Sequence, residues 1–158
     1  MLGMNSWSTH DHRVLISFAE TVTAVFQRHI QARPWDREAG GLLLGTVHGA
    51  NILVVEATVP TRWDRRFRYM FERMWFGHRS IAQNRWKVSG GTVRYVGEWH
   101  THPQDVPRPS GLDSTEWKKL ARNRADGRPV LAVIVGRREL YVELISPLGN
   151  SQIMLPMQ

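Results

Sequence analysis

The sequence contains no cysteine. This absence excludes disulfide bonds, thiolate metal sites, iron–sulfur clusters and a cysteine nucleophile. Any metal ion must therefore be held by histidine, aspartate or glutamate. The chain also lacks an apolar run near the ~20 residues that a transmembrane helix needs. Residues 1–13 lack a basic segment followed by an apolar one, so no signal peptide is expected. These absences predict a cytoplasmic protein that has no contact with a membrane.

The composition is that of a folded domain. The 158 residues are 42% hydrophobic and 22% charged, which excludes a disordered or low-complexity chain and predicts a single domain over residues 1–158. Lysine and arginine exceed the acidic residues by 21 to 14, a formal charge of +7. Arginines are dense between Arg62 and Arg73. No helix-turn-helix, RRM or zinc-finger pattern accompanies them, so a solvated face or a dock for an acidic protein is at least as well supported as a nucleic-acid partner.

The apolar pattern predicts an α/β (α+β) fold, with a mixed central sheet flanked by helices in the order α–ββ–α–β–α–ββ. Glycine, asparagine and proline residues mark the boundaries between elements. The predicted helices span residues 14–30, Phe71–Trp86 and Asp113–Ala125, and the predicted strands span Gly41–His48, Ile52–Thr58, Thr92–Thr101, Val130–Val135 and Leu140–Ile145.

Two histidines stand at the end of the predicted strand Thr92–Thr101. His100 and His102 are two residues apart, and alternate side chains of a strand point to the same side, so both imidazoles can reach one ion. The loop that follows is long enough to swing back and bring Asp113, in the first turn of the next helix, to the same ion. Two neutral histidines and one carboxylate suit zinc, and three protein ligands leave the fourth position for water, as in catalytic sites.

A zinc-activated water needs a carboxylate that takes its proton and returns it to the leaving group. Glu38, ahead of the first hairpin strand, is the candidate for this role. Glu98 competes with it, because strand alternation places Glu98 on the same side as His100 and His102. The Ser110 hydroxyl can donate to the oxyanion that forms when a carbonyl is attacked.

Each of these signals has a simpler explanation when it is taken alone. His10 and His12 form a second pair with the same spacing but without the serine and aspartate, so we expect that pair at the surface. Ser110 and Asp113 alone would form an N-terminal capping box. The complete spaced set rarely arises by chance, which favours a metal site.

The pattern His100-x-His102-x7-Ser110-x2-Asp113, with Glu38 upstream, resembles the signature of the JAMM (MPN-plus) metalloproteases. No position departs from that spacing, and the flanking elements fit the family's fold. The resemblance implies one zinc ion per chain bound by His100, His102 and Asp113, with Glu38 as acid/base and Ser110 polarising the carbonyl. It also implies a substrate: the amide or isopeptide bond after the C-terminus of ubiquitin or a ubiquitin-like protein.

A narrower resemblance rests on residues 95–103 (YVGEWHTHP), on residues 107–110 and on Trp117. They are similar to a bacterial subgroup of the family that occurs in integrative elements and in CBASS anti-phage operons. In that subgroup the JAMM protein reverses the conjugation of a cGAS-like nucleotidyltransferase, which an E1–E2 fusion enzyme attaches through its C-terminal carboxylate. The resemblance therefore implies a deconjugating isopeptidase that restrains immune signalling.

Three other functions stay open from the sequence. One is a JAMM hydrolase that acts on a sulfur-carrier protein or a small amide, and another is a metal-free MPN scaffold that only binds partners. The third is a nucleic-acid-binding domain, which would bind with a steep salt dependence. Within the isopeptidase hypothesis, the Arg62–Arg73 stretch either contacts an acidic or polar face of the substrate protein or is a solvated surface.

Overall fold

The computed structural model describes residues 5–73 and 75–158, without the side chains of Trp75 and Phe76. Residues 1–4, part of the start on which the signal-peptide prediction rests, and Met74, inside the predicted second helix, lie outside the described residues. The helices are α1 (Glu20–Arg28), α2 (Trp75–Val88) and α3 (Gly111–Arg122). The strands are β1 (Ser6–Ser8), β2 (Leu15–Phe18), β3 (Gly40–His48), β4 (Asn51–Ala57), β5 (Arg65–Arg66), β6 (Phe71–Glu72), β7 (Arg94–Thr101), β8 (Val130–Val135), β9 (Leu140–Ile145), β10 (Ser151–Ile153) and β11 (Leu155–Pro156).

One mixed sheet organises the fold. Its strands lie in the order β10-β9-β8-β7-β3-β4-β2-β1-β11, and β5 pairs with β6 in a separate hairpin. The β2–β4 and β7–β8 pairs are parallel, and the other pairs are antiparallel. The predicted α/β fold is thereby confirmed, including its two hairpins, β3–β4 and β8–β9. Among the described residues, no helix has the length and apolar character that crossing a bilayer requires.

The two sides of the sheet are covered by different helices. On one side α1 buries Val22 and Phe26 in a cluster that includes Leu131 and Val133 of β8. On the other side α3 packs Trp117 and Ala121 against a cluster that includes alternate residues of the same strand. All six residues of β8 are therefore buried, which explains its uninterrupted apolar sequence.

The C-terminal segment protects both edges of the sheet. β10 pairs with β9 at one edge and β11 pairs with β1 at the other, and only Met154 lies between β10 and β11. Met154 is 2% exposed, and its N–H donates to the Val142 carbonyl over 2.8 Å. The sheet therefore curls until its edges meet across this segment, which leaves little free edge for pairing with another chain.

The predicted helix over residues 14–30 is wrong in its first part. Residues Leu15–Phe18 form β2, which buries Ile16 and Phe18 and pairs with β4. A four-residue apolar spacing is also a multiple of two, so it fits strand alternation as well as a helix turn. The helix itself runs only from Glu20 to Arg28 and ends well before Pro34.

The predicted helix Phe71–Trp86 begins too early. Phe71 and Glu72 form β6, which pairs with Arg66 and Arg65 of β5, and the helix spans Trp75–Val88. β5, β6, β1, β10 and β11 are two or three residues long, too short for alternation to show in the sequence. The β5–β6 hairpin therefore replaces what we expected to be a loop and the first turn of a helix.

Candidate metal centre and active-site groove

Strand register brings the predicted site residues together. β7 and β3 are antiparallel with Gly40 opposite His100, and the Thr101 N–H donates to the Ala39 carbonyl over 2.9 Å. Continuing this register by two residues places Glu38 beside His102. Asp113 arrives from the other direction, in the first turn of α3. Two strand ends and one helix start therefore converge on a single point.

The distances among the predicted ligands show this convergence. The Nε2 atoms of His100 and His102 are 3.0 Å apart. Asp113 Oδ1 lies 3.3 Å from His100 Nε2, and Asp113 Oδ2 lies 3.3 Å from His102 Nε2. Among the described residues, these three form the one group with the geometry of a metal site.

The donor set fits a zinc ion. Ligand bonds of about 2.0–2.1 Å in a tetrahedral arrangement separate the ligand atoms by roughly 3.3–3.4 Å, close to the distances of 3.0–3.3 Å between the imidazole nitrogens and the Asp113 oxygens. A second contact orients one ligand: His102 Nδ1 lies 3.3 Å from Gln104 Oε1. When Nδ1–H donates to Gln104, the lone pair of Nε2 is free for the ion. With three protein ligands, a tetrahedral ion keeps one position for water or substrate.

The negative charge around the candidate ligands also favours a bound cation. Burial raises the pKa of Asp113, but hydrogen bonds with His100 and His102 and from the Ser110 N–H hold that pKa well below its ordinary value. Burial lowers the pKa of His102, but the Asp113 and Glu38 carboxylates raise it overall because they favour a positive charge between them. A bound metal ion would supply the positive charge that this arrangement attracts.

Glu38 is a buried carboxylate next to the ligands. Its residue is 5% exposed, and its Oε1 lies 4.0 Å from His102 Nε2. Burial raises the pKa of Glu38 to about 7, since His102 only partly offsets the loss of hydration and Asp113 adds to the rise. A carboxyl group with a pKa near neutrality can both accept and donate a proton.

Ser110 caps α3 as the sequence predicted. Its Oγ accepts a hydrogen bond from the Asp113 N–H over 3.0 Å, and the Asp113 carboxylate accepts one from the Ser110 N–H over 2.8 Å. Asp113 thus belongs to a capping box and to the ligand cluster at once. The bond to Ser110 Oγ uses a lone pair and leaves the hydroxyl hydrogen free to donate.

A protein-family model, described as the prokaryotic homologues of the JAB domain, matches residues 20–144 of the chain. The chain belongs to the prokaryotic JAB family. The predicted resemblance to the JAMM metalloproteases is thereby confirmed.

Several proteins resemble this JAB chain over most of its length. A CD-NTase/cGAS isopeptidase of Pseudomonas aeruginosa is 54% identical over 155 residues, which cover 98% of each chain. A protein of the same name from Vibrio cholerae is 35% identical over 105 residues, 66% of this chain and 65% of its own. The solution structure of a protein from Desulfitobacterium hafniense has a TM-score of 0.60 over 90% of each chain at 21% identity, which supports the fold. The prediction of an enzyme of the isopeptidase class is confirmed by the family match and by the relative from Pseudomonas aeruginosa.

The candidate metal ligands of the JAB chain lie in a groove of about 650 Å³. One wall, the hairpin wall, is the segment from Tyr69 to Arg73, which contains β6 of the β5–β6 hairpin. The other wall is α3, which contributes Leu112, Glu116 and Leu120. The candidate ligands His100, His102 and Asp113 line the same groove.

Glu98, the competing candidate for proton transfer, lies in the same groove with a different partner. Arg73 Nη2 donates a hydrogen bond to Glu98 Oε1, and the side chains of both residues are only about one-fifth exposed. The Glu98 carboxylate is thus engaged by Arg73, whereas Glu38 Oε1 lies 4.0 Å from His102 Nε2. The geometry therefore favours Glu38 as the base in the JAB site.

Sequence reasoning missed the side chains that support the site from behind. Gln31 and Thr101 are buried and hydrogen-bonded to each other, and Arg66 Nε donates to the Glu38 carbonyl over 2.9 Å. Each residue is ordinary in its local sequence, and the only available signal was the position of Thr101 between the two histidines. The partners are far apart along the chain, so no local pattern reveals them.

Proposed function

We propose that this JAB chain is a zinc isopeptidase that cleaves the amide bond after the C-terminal residue of a conjugated CD-NTase/cGAS-type protein. One observation carries the proposal: the Nε2 atoms of His100 and His102 lie 3.0 Å apart, and each lies 3.3 Å from an oxygen of the Asp113 carboxylate, beside the buried Glu38. The names of the relatives from Pseudomonas aeruginosa and Vibrio cholerae supply the substrate class.

Each residue has one task in this proposal. His100, His102 and Asp113 hold the zinc ion. Zinc, when bound, supplies Lewis-acid polarisation of the scissile carbonyl and activation of a water molecule near neutral pH. The Glu38 carboxylate accepts the proton of the attacking water and passes it to the leaving amine. The Ser110 hydroxyl donates to the carbonyl oxygen as negative charge develops on it.

The names of the relatives favour a protein substrate over a small amide, and the groove offers a place for the tail of such a substrate. The groove runs between the hairpin wall and α3, and it contains the Arg73–Glu98 pair as well as the ligand cluster. A C-terminal tail that lies extended between these walls can present its last carbonyl to Glu38 and Ser110. Two exposed cations, Arg62 beside the hairpin and Arg65 within it, would contact an acidic or polar face of the carrier.

The test is the cleavage of defined fusions. A CD-NTase joined through its C-terminal carboxylate to a second folded protein should be cut after its last residue. A metal chelator should abolish the cleavage, and added zinc should restore it. Matched substrates are the same fusion without the last residues of the CD-NTase, a short peptide with the same cleavage sequence, and a sulfur-carrier fusion. Zinc-loaded protein that leaves the CD-NTase fusion intact, or that prefers the short peptide or the sulfur carrier, would contradict the proposal.

A further inference from the structure

A buried hydrogen-bond network joins the metal-binding strand to the segment that carries Glu38. Thr101, fully buried between the two histidines, accepts a hydrogen bond on Oγ1 from the Ala39 N–H over 2.9 Å. The same hydroxyl donates to Gln31 Oε1 over 2.9 Å. The residue that follows Glu38 is thus tied to the residue between two metal ligands.

Gln31 extends this network to the hairpin wall of the groove. It is 1% exposed, and its Nε2 donates to the carbonyls of Arg68, over 2.8 Å, and Asp36, over 3.2 Å. Two carbonyl acceptors fix the orientation of the amide, so the oxygen must face Thr101. One buried side chain therefore fixes three segments: the metal strand, the approach to Glu38 and the hairpin.

Backbone contacts of Glu38 depend on the same segments. Its N–H donates to the Phe67 carbonyl over 2.6 Å, and its carbonyl accepts a hydrogen bond from Arg66 Nε over 2.9 Å. Gln31 holds Arg68 next to these partners, and Thr101 holds Ala39 on the other side. The position of the Glu38 carboxylate relative to His102 follows from these anchors, because the residue has no regular secondary structure of its own.

We infer that Gln31 and Thr101 are positioning residues, which set the Glu38 carboxylate against the metal centre through the Ala39 amide. The inference rests on the proposed role of Glu38 in proton transfer. A shift of about 1 Å in a catalytic group can cost roughly 100-fold in rate. A buried amide is costly to desolvate unless all its groups are bonded, and here they are bonded to the segments that build the site.

The experiment compares Thr101→Val, which removes the hydroxyl and keeps the shape, with Thr101→Ser, which keeps the hydroxyl. Gln31→Leu removes the other half of the network. Val22→Ala, in the core of α1 and outside the network, is the control for general loss of stability. We expect Thr101→Val and Gln31→Leu to lower kcat by about 10–100-fold with unchanged zinc stoichiometry. Thr101→Ser should keep kcat within about threefold of the original chain, and Val22→Ala should leave kcat unchanged at temperatures below its Tm.

Hydrogen exchange of the Ala39 amide gives a measurement that needs no substrate. In Thr101→Val this amide loses its acceptor, so it should exchange at least about tenfold faster, while the amides of β8 and β9 keep their protection. Three results would overturn the inference. They are an unchanged exchange rate of the Ala39 amide in Thr101→Val, a kcat of Thr101→Val or Gln31→Leu within twofold of the original chain, and an equal loss of kcat in Val22→Ala. If the original chain cleaves no carrier, the proposed function fails, and the exchange measurement still decides whether the network holds the Glu38 segment.

Discussion

Two pairs of histidines with identical spacing lie in this molecule, and among the described residues one of the pairs joins a carboxylate in a group that could hold a metal ion. His10 and His12 lie exposed in the turn between β1 and β2, where His12 has a φ of +57° and its Nδ1 lies 3.2 Å from Ser8 Oγ. His100 and His102 lie at the end of a central strand, with their Nε2 atoms 3.0 Å apart. The extended backbone of a strand points both imidazole rings to the same side, so residues with this spacing can reach one ion.

The surroundings of the two pairs differ as much as the backbone does. The central pair receives Asp113 from a helix start and Glu38 from the neighbouring strand entry. Asp11, between the other two histidines, accepts hydrogen bonds from Thr9 and the Arg13 N–H in its own turn. A pair of histidines therefore becomes a metal site only when the fold brings acids to it from elsewhere in the chain.

The largest expected effect is the loss of a ligand from the central pair. His102→Ala should abolish stoichiometric zinc binding and lower kcat/KM by at least about 10³-fold, which corresponds to about 4 kcal/mol of lost transition-state stabilisation. Zinc content by mass spectrometry and cleavage of the fusion measure the two effects. The matched control is His10→Ala combined with His12→Ala, which should keep zinc content and activity within twofold. Zinc loss from this control would break the comparison.

The next effect separates the two acidic residues near the central pair. Glu38→Gln should lower kcat by about 10²–10⁴-fold, because it removes the proton carrier, while the protein still binds one zinc ion per chain. Glu98→Gln weakens the contact with Arg73 at the groove and should change KM more than kcat. Steady-state kinetics on the same fusion distinguish them. A larger kcat loss in Glu98→Gln than in Glu38→Gln would reassign the base.

The sequence could predict that His100, His102 and Asp113 meet because they lie close together along the chain. His100, His102, Ser110 and Asp113 fall within one strand, one loop and one helix start, so spacing and alternation were enough. Glu38 was a candidate from its place ahead of the first hairpin strand, but the residues alone left Glu98 open, since the distance of Glu38 from His102 depends on the β3–β7 register. That register follows from pairing across more than fifty residues, which no local pattern reveals.

The predictions of secondary structure were wrong where a helix and a strand share one apolar periodicity, and where the elements are very short. Residues 15–18 satisfy both a helix and a strand pattern, and burial on the sheet decided for the strand. The β5–β6 hairpin has two residues in each strand, yet it builds one wall of the groove. The sequence did not reveal the role of Gln31, because its hydrogen-bond partners Asp36, Arg68 and Thr101 belong to different segments of the fold.

A moderate effect is expected at Ser110, where capping and catalysis overlap. Ser110→Gly should cost only a few tenths of a kcal/mol in helix stability, whereas Ser110→Ala should cost about 1 kcal/mol. Both variants remove the hydroxyl that we assign to the oxyanion, so both should lower kcat by about 10²–10³-fold. Thermal unfolding and kcat measured together test this. A kcat that follows stability, with Gly active and Ala impaired, would leave Ser110 as a helix cap alone.

The smallest expected effect on catalysis comes from the region of the exposed histidine pair. β1, which leads into that turn, is covered by β11, and Met154 lies buried beside it where the sheet closes. Met154→Ala should lower the free energy of unfolding by about 2–5 kcal/mol through the cavity it leaves, and Tm by roughly 5–15 °C. Met154→Leu keeps the volume and should cost less than about 1.5 kcal/mol. Below their Tm both variants should retain kcat and zinc content, because this closure lies in a different part of the sheet from β7 and α3. A kcat loss in Met154→Ala at a temperature where it is fully folded would show that the closed edges also hold the metal centre, and the contrast between the two histidine regions would then fail.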